Sequence, residues 1–342
     1  MTGGGGGQRV GEISAVVVSY ASGSELLTCV GSLLGSAEVK EVVIVDNGPP
    51  GSELPAIADP RVRVVNPGDN LGFAGGANAG ARETTGEILL FVNPDVALQP
   101  SAIEGLAARL RDRPGACSPV IEVAADGSSE HGITVDLFLI RRLPPREDDQ
   151  RTALFVSGCC LATNRSVFAA IGGFDQRYFM FCEDLEYCWQ VWRRGFEVSV
   201  ADDVRAHHEG GGSTPGGYVR DGHVMVSEFR IALRERNSIA AVISCAPGRW
   251  LWLLLLCGLA RLLGAAAAAL VLGRSSLATE LMKALAWNVR ELHGSLARRR
   301  HGRIDRGGEM RAWRRIQWRC YALSLLRVYG RPMFADSAEP VA

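Results

Sequence analysis

Residues 70–98 read NLGFAGGANAGARETTGEILLFVNPDVAL. The second half holds a short continuous apolar run, Ile88 to Val92, that stops at Asn93, Pro94 and Asp95. Such a run predicts a strand buried on both faces, with a tight polar exit. The first half offers Gly72, Gly75, Gly76 and Gly80 among small residues and predicts a helix over 78–85. Two readings of the glycines stay open: a cradle for a phosphate-bearing ligand, or room for a helix to lie close on a sheet. Asp95 likewise either caps the turn or offers its carboxylate to a divalent cation, as diphosphate chemistry requires.

Working outward, ISAVVVSY (13–20) and EVVIVDNG (41–48) repeat the buried-strand pattern, and RVRVVNPG (61–68) adds a third strand. Between the first two, Leu26, Leu27, Val30, Leu33 and Leu34 recur at helical spacing. Strand, helix, strand, with a polar residue closing each strand, predicts an α/β fold on a parallel sheet. Ligands bind such sheets at the carboxyl ends of the strands, where Tyr20, Asp46 and Asp95 stand. A helix over 101–111 follows, then a loop-rich region, 115–150, with DGSSEHG and RRLPPREDDQ as exposed connections. Residues 153–168 return to strand and helix, and 183–194 form an amphipathic helix closed by Gly195. FEVSVADDV (196–204) is one more strand, leading into a glycine-rich loop that carries His207 and His208. From about Tyr218 onward the chain reads as helical.

Composition narrows the function. With 342 residues, 47% hydrophobic and 22% charged, the chain buries a sizeable core and is not disordered. The nine cysteines include the pair Cys159-Cys160 but no CxxC, which argues against a zinc site or disulfide framework and for free thiols in a reducing cytosol. MTGGGGGQRV is a flexible tail without the apolar core of a signal peptide. SYASGSE follows the first strand where a dinucleotide fold needs GxGxxG, and no GxxxxGK[ST] occurs. The zero net charge hides an asymmetry: residues 1–230 carry 19 basic and 30 acidic residues, and residues 231–342 carry 18 and 7. A basic tail beside an apolar segment points to an anionic surface.

In FMFCEDLEYCWQ (179–190), Glu183, Asp184 and Glu186 open a helix among aromatics. They either complement the helix dipole or, partly desolvated, supply a general base. A histidine after the last strand gains meaning only if it meets Asp95 in space.

Seven segments in order carry a resemblance: AVVVSY (15–20), VVIVDNG (42–48), NLGFAGGANAGA (70–81), FVNPD (91–95), VSGCCLATNRSVFAAIGGFD (156–175), FMFCEDLEYCWQVWRRG (179–195) and HHEGGGS (207–213). Together they resemble a family 2 glycosyltransferase of the GT-A fold, nearest the bacterial rhamnosyltransferase branch, over residues 12–330. The resemblance implies that Tyr20 and Asp46 line the base and ribose pocket of a nucleotide-sugar donor. It puts Asn70 and Asn78 along that donor, with Gly72 and its neighbours letting the backbone approach. Asn93 and Asp95 stand where the family has its DxD-type motif, so Asp95 would hold Mg²⁺ or Mn²⁺ against the diphosphate. His208, rather than His207, would complete the metal site. Gly158 and Glu183 would face the acceptor, and Asp184 would be the general base of an inverting displacement. The chain departs from the family's pattern at Asp184-Leu185-Glu186-Tyr187 and Gln190, where Asp-x-Asp-Leu and a later Arg are frequent. That departure leaves sugar and acceptor preference open.

The implied organisation is a flexible tail (1–10), a GT-A domain (11–230) and a helical membrane-associating extension (231–342). Residues 250–273, WLWLLLLCGLARLLGAAAAALVLG, hold 24 residues and one charge, Arg261. Their length permits a crossing, but a single crossing puts the Arg-rich residues 298–319 outside, against the positive-inside rule. A monotopic helix or a re-entrant pair, broken near Gly258 or Gly264, keeps both flanks inside, and in-plane attachment is favoured over spanning. RRRHGRIDR (298–306) and RAWRRIQWR (311–319) suit anionic headgroups, with Trp313 and Trp318 at the interface. No nucleic-acid module accompanies the charge. The expectation is transfer of a sugar, rhamnose from dTDP-rhamnose or another from a UDP-sugar, to a lipid-linked or polysaccharide acceptor at the cytoplasmic face of the inner membrane. The rivals are a silent sugar-nucleotide-binding scaffold and a nucleotidyltransferase. Nothing in the sequence sets the oligomeric state.

Overall fold

The computed structural model describes residues 13–124, 127–142, 153–209, 219–220, 223–317 and 333–334. The glycine tail (1–10), the glycine run at 210–217 and Trp318 lie outside the described residues.

The buried runs fold as their pattern demands. The first elements are β1 (Ile13–Ser19), α1 (Ser24–Leu34), β2 (Val39–Asp46), β3 (Val62–Val65), α2 (Gly72–Arg82) and β4 (Ile88–Val92). These four strands are parallel, Val17 pairing with Ile44 on one side and Val92 on the other. Helix α2 starts six residues before the expected 78, because tertiary packing overrides the poor helix propensity of glycine. A Cβ on Gly80 would come 2.4 Å from Val16 Cγ1, and one on Gly76 would come 2.8 Å from Val18 Cγ1. At these two positions the glycines lower the helix onto the sheet, the packing reading rather than the phosphate cradle.

Next come β5 (Val96–Leu98), α3 (Pro100–Asp112), β6 (Gly115–Val123), β7 (Ser129–Glu130), β8 (Thr134–Val135), β9 (Arg141–Arg142) and β10 (Cys160–Asn164). Then follow α4 (Arg165–Ile171), α5 (Glu183–Arg193) and β11 (Glu197–His208). The main sheet runs β3-β2-β1-β4-β10-β6-β11-β5, with β7 on β6. It differs from the expected parallel sheet in three ways. First, β10 runs antiparallel to β4 and β6, and β5 antiparallel to β11, so the sheet is mixed. Second, the region read as loop supplies β6, whose first seven residues are buried. Ser118 and Pro119 interrupt its apolar pattern, and Pro119 sits at a bulge where the pairing jumps from Ala201 to Arg205. Third, β11 continues through His207 and His208, which are strand residues rather than loop. Because β1, β2, β4, β6 and β11 all point one way, their carboxyl ends share one edge.

The C-terminal part holds β12 (Val219–Arg220) and β13 (His223–Val226) where helix was expected. Helices α6 (Glu228–Cys245), α7 (Gly248–Val271), α8 (Ser275–Arg290), α9 (Leu292–Arg300) and α10 (Arg306–Arg314) follow, and β14 (Met333–Phe334) pairs with β13. Two main cores flank the sheet. One joins α1 and α3 to it; the other joins α2, α4 and α5 and takes in Ala240, Val242, Cys245, Leu254, Trp313 and Ile316 from beyond residue 230.

Here the tail departs from expectation. Trp313 is only 5% exposed and stacks on Trp250 with ring centroids 4.5 Å apart, so it is core and not an interfacial anchor. Arg298 turns inward to Glu186 of α5, Nη2 to Oε2 3.0 Å, and Arg299 donates to the Ile243 carbonyl at 3.1 Å. Buried Arg193 of α5 donates to Glu309 at 3.1 Å and to the Ser244 carbonyl at 2.8 Å. Part of the basic segment therefore satisfies buried polar groups of α5 and α6 rather than facing lipid.

Candidate active site

The polar exit of β4 and the end of β11 converge. His208 pairs in register with Val96, which places its imidazole beside Asp95, Nε2 to Oδ2 3.2 Å. The strand's alternation sends His207 to the other face, where Nδ1 lies 3.1 Å from Glu122. Of the two histidines, His208 is the one that stands beside Asp95. Among the described residues no group of three or more His, Cys, Asp or Glu is placed to hold a metal.

Opposite, the start of α5 is held under strain. Phe179, Phe181 and Cys182 all adopt positive φ, 63°, 66° and 63°, a region that side chains disfavour. Asn237 of α6 stabilises it, its buried amide facing the carbonyls of Tyr178, Met180 and Phe181 at 2.9, 2.9 and 2.7 Å. Gly72, at φ +65°, makes the other close approach: a Cβ there would lie 2.4 Å from the Phe179 carbonyl oxygen. This glycine serves the α5 turn.

The turn aims Asp184. Its Oδ2 accepts from Gly158 N at 3.1 Å and its Oδ1 from Leu185 N at 2.7 Å. The residue after Gly158 reaches back to the β4 exit, Asn93 N donating to the Cys159 carbonyl at 2.8 Å. Segment 158–159 thus bridges the base candidate and the Asp95 turn. Glu183 is buried, and its Oε2 has no hydrogen-bond partner among the described residues. Burial, then the neighbouring Asp184, raises the Glu183 pKa well above the carboxylate range, which favours its protonated form. Glu186, expected alongside them, is instead consumed by Arg298 and by Gln190, which donates at 2.8 Å.

Asp46 closes β2, accepting from Gly48 N at 3.0 Å and from Asn66 Nδ2 at 3.4 Å. A cavity of about 280 Å³ opens beside it, lined by Ile44, Leu54, Ile57 and Val64 among others. Tyr20 directly follows β1 and is half-buried. Asn70 accepts from Gly72 N at 2.9 Å, shaping the entrance to α2. Asn78, expected along the donor, is turned toward Phe174. It is buried, donating to the Phe174 carbonyl at 2.8 Å and accepting from Phe174 N at 3.0 Å, so its amide clamps α2 to the turn before α5.

Sequence reasoning missed several groups. Glu130 and Arg141, from the two stretches read as exposed connections, form an ion pair. Burial raises the Glu130 pKa; Arg141 lowers it, Asp184 raises it and His208 lowers it, so charges from both halves of the site act on this residue. Asn47 donates to the Gly72 carbonyl at 2.9 Å. Neither it nor Asn237 had any signal in the sequence, because each acts only through distant backbone.

With this geometry in view, comparison with known proteins is decisive. The N-acetylglucosaminyl-diphospho-decaprenol L-rhamnosyltransferase of Mycobacterium tuberculosis is 30% identical over 234 residues, covering 58% of this chain and 76% of the relative. The chain belongs to glycosyl transferase family 2. The family's own pattern matches residues 14–172, from β1 to the end of α4. This glycosyltransferase is also 25% identical over 213 residues to the Low-salt glycan biosynthesis hexosyltransferase Agl10 of Haloferax volcanii, covering 58% of this chain and 67% of that one. Among solved structures, GalNAc-T7 with UDP, GalNAc and Mn²⁺ superposes with a TM-score of 0.55 at 18% identity, covering 69% of this chain. It covers 48% of that chain, so the glycosyltransferase spans about half the length of GalNAc-T7. The fold is GT-A, with its mixed sheet, and an apolar C-terminal helix is added to it.

Proposed function

We propose that the protein is an inverting, divalent-metal-dependent glycosyltransferase that moves a sugar from a nucleotide-sugar donor to a hydroxyl of a lipid-linked acceptor. The observation that carries this reading is the pairing of Asp95 with His208 at the shared strand edge, bridged through residues 158–159 to Asp184. The donor set suits Mg²⁺ or Mn²⁺: a carboxylate and an imidazole, with no third protein ligand among the described residues. A cation of this kind commonly takes one or two protein ligands and completes its shell with substrate phosphates and water. Bound there, it would neutralise charge developing on the leaving nucleoside diphosphate.

The chain's own residues do the rest. Asp184 removes the proton of the acceptor hydroxyl as its oxygen attacks the anomeric carbon. The bond from that carbon to the diphosphate breaks on the opposite face, so one displacement inverts the configuration. Gly158 N holds the Asp184 carboxylate in place, and the Asn237 clamp fixes the turn that presents it. Asp46, Tyr20 and Asn70 border the donor. The M. tuberculosis relative is named for rhamnose transfer to a diphospho-decaprenol sugar, which supports dTDP-rhamnose as donor and a polyprenyl-linked acceptor.

The C-terminal helices supply membrane attachment in the same reading. Helix α7 is long and apolar enough to cross a membrane by length and composition. It is continuous from Gly248 to Val271, without a break at Gly258 or Gly264. One face packs on α6 and α8, and its one charge inside the apolar run, Arg261, pairs with Glu235 of α6 at 2.9 Å. The outer face presents Trp252, Leu256, Ala260, Leu263, Ala267 and Val271 at spacings of three and four. With that outer face free for lipid and Arg-rich segments on the same chain, attachment along the bilayer surface is the reading we adopt. Helices α6 to α10 therefore both attach the enzyme to an anionic cytoplasmic surface and, through residues such as Val242, Leu254 and Trp313, complete the core of the N-terminal part.

Asp95→Ala tests the metal assignment. Calorimetry with a nucleotide sugar and Mn²⁺ should show donor affinity at least tenfold weaker, about 1.4 kcal/mol. Unchanged affinity removes Asp95 from the site.

A further inference from the structure

The catalytic turn carries a cationic cluster that the reaction above does not use. Arg230 and Arg234 lie one turn apart on α6, and both guanidinium groups stand over the Phe181 ring, 4.7 and 5.3 Å from its centroid. Phe181 is three residues before Asp184, in the strained turn that Asn237 holds. Arg141 lies near enough for the three charges to disfavour one another. Burial first, then Arg234 and Arg141, pushes the Arg230 pKa down to about 9. Asp184 and Glu183 of α5 act on Arg234 in the opposite sense. Glu130 is paired with Arg141. Two guanidinium groups, with Arg141 nearby, are thus gathered on the ring that precedes the base.

The same end of α6 faces an apolar surface. Ile231 packs against Ala266, Ala269, Leu277 and Leu281. Glu228 ties the start of α6 to the α7–α8 turn, through Arg274 at 3.1 Å and Ser276 at 2.8 Å. Exposed around that junction are Phe229, Leu270, Val271 and Leu272. Apolar surface, arginine pair and Asp184 therefore follow one another along the molecule. A ligand matching that order has a hydrocarbon chain, then a phosphate, then a hydroxyl-bearing sugar. Guanidinium groups suit phosphate oxygens through charge-assisted hydrogen bonds.

We propose that Arg230 and Arg234 bind the phosphate that joins the acceptor's sugar to its lipid. The inference rests on the reading of the protein as a transferase to a lipid-linked acceptor, and it adds where that acceptor's anionic group docks. The same phosphate chemistry is also offered by bilayer phospholipids, and the experiment separates the two sources.

The full chain and its Arg230→Gln, Arg234→Gln and double variants are titrated calorimetrically with farnesyl diphosphate and with farnesol. No divalent cation is added, so that the metal-linked donor site does not compete. In parallel, each protein is sedimented with phosphatidylcholine vesicles containing phosphatidylglycerol. The wild type should bind farnesyl diphosphate at least tenfold more tightly than farnesol. The double variant should lose that preference while keeping its vesicle binding and thermal midpoint. Arg234 is exposed, so Arg234→Gln alone serves if the double variant is unstable, with a smaller loss in the same direction. Undiminished preference for farnesyl diphosphate in the variants overturns the proposal. So does loss of vesicle binding with that preference intact, which would assign the arginines to bilayer headgroups. Neither titration involves donor or transfer, so a failure here is distinct from failure of the glycosyltransferase reading.

Discussion

Asp184→Asn should lower kcat for sugar transfer by roughly 10²–10⁴-fold, the range that a positioned general base supplies. Donor binding in the presence of Mn²⁺ should stay close to wild type. The substitution is nearly isosteric, and the amide oxygen can still accept from Gly158 N, whose bond to Asp184 is 3.1 Å. What is lost is the ability to take a proton from the acceptor hydroxyl. The pairing of Asp95 with His208 is separate from this side chain, so the metal-linked part of donor affinity has no reason to change. Initial rates and calorimetry on one preparation separate the two effects. Full activity in the variant removes Asp184 from the role of base, and a parallel loss of donor binding would make it structural.

The second large effect is on stability. Glu186 is 0% exposed, and Arg298, contributed by α9, is its cationic partner at 3.0 Å. Glu186 in turn holds the Arg298 pKa above its ordinary value, against burial. Arg298→Ala leaves a carboxylate enclosed without its counter-charge, which costs about 3–5 kcal/mol. The midpoint of urea unfolding should fall accordingly. Lys283→Ala, which removes the exposed Lys283–Glu280 pair, should change stability by less than about 1 kcal/mol. Pairing Arg298→Met with Glu186→Gln should recover part of the loss, because neither group then carries a buried charge. Equal effects at the buried and exposed pairs would contradict the view that the C-terminal helices complete the catalytic half.

The contrast between these two pairs shows what could be read in advance. Ile13–Ser19, Val39–Asp46 and Ile88–Val92 announce themselves as continuous apolar runs, because strands covered on both faces need no alternation. Their polar exits pointed to Asp46 and Asp95 for the same reason. β6 stayed hidden because Pro119 occupies a bulge, a position that exists only once β11 lies alongside. The glycines of α2 were the loudest signal, yet Gly76 and Gly80 answer to Val18 and Val16. Asn78, expected along the donor, has its amide paired with Phe174, and a buried asparagine clamp and a ligand-facing asparagine look alike without their partners. The charge of the tail was legible, but its direction was not. Arg298 and Trp313 face inward because α5 presents a buried acid and the core a ring-sized space, neither of which the local sequence records.

The central claim, metal-linked recognition of a nucleotide sugar by Asp95 and His208, has a direct test. Thermal unfolding of the full chain is followed with a panel of dTDP- and UDP-sugars, each with and without Mn²⁺. A ligand present at about 100 times its dissociation constant stabilises the native state by about 2.7 kcal/mol, which is readily seen. At least one nucleotide sugar should raise the midpoint with Mn²⁺ and do so much less without it or in Asp95→Ala. The same rise with and without the metal, or no rise with any nucleotide sugar, would contradict the account.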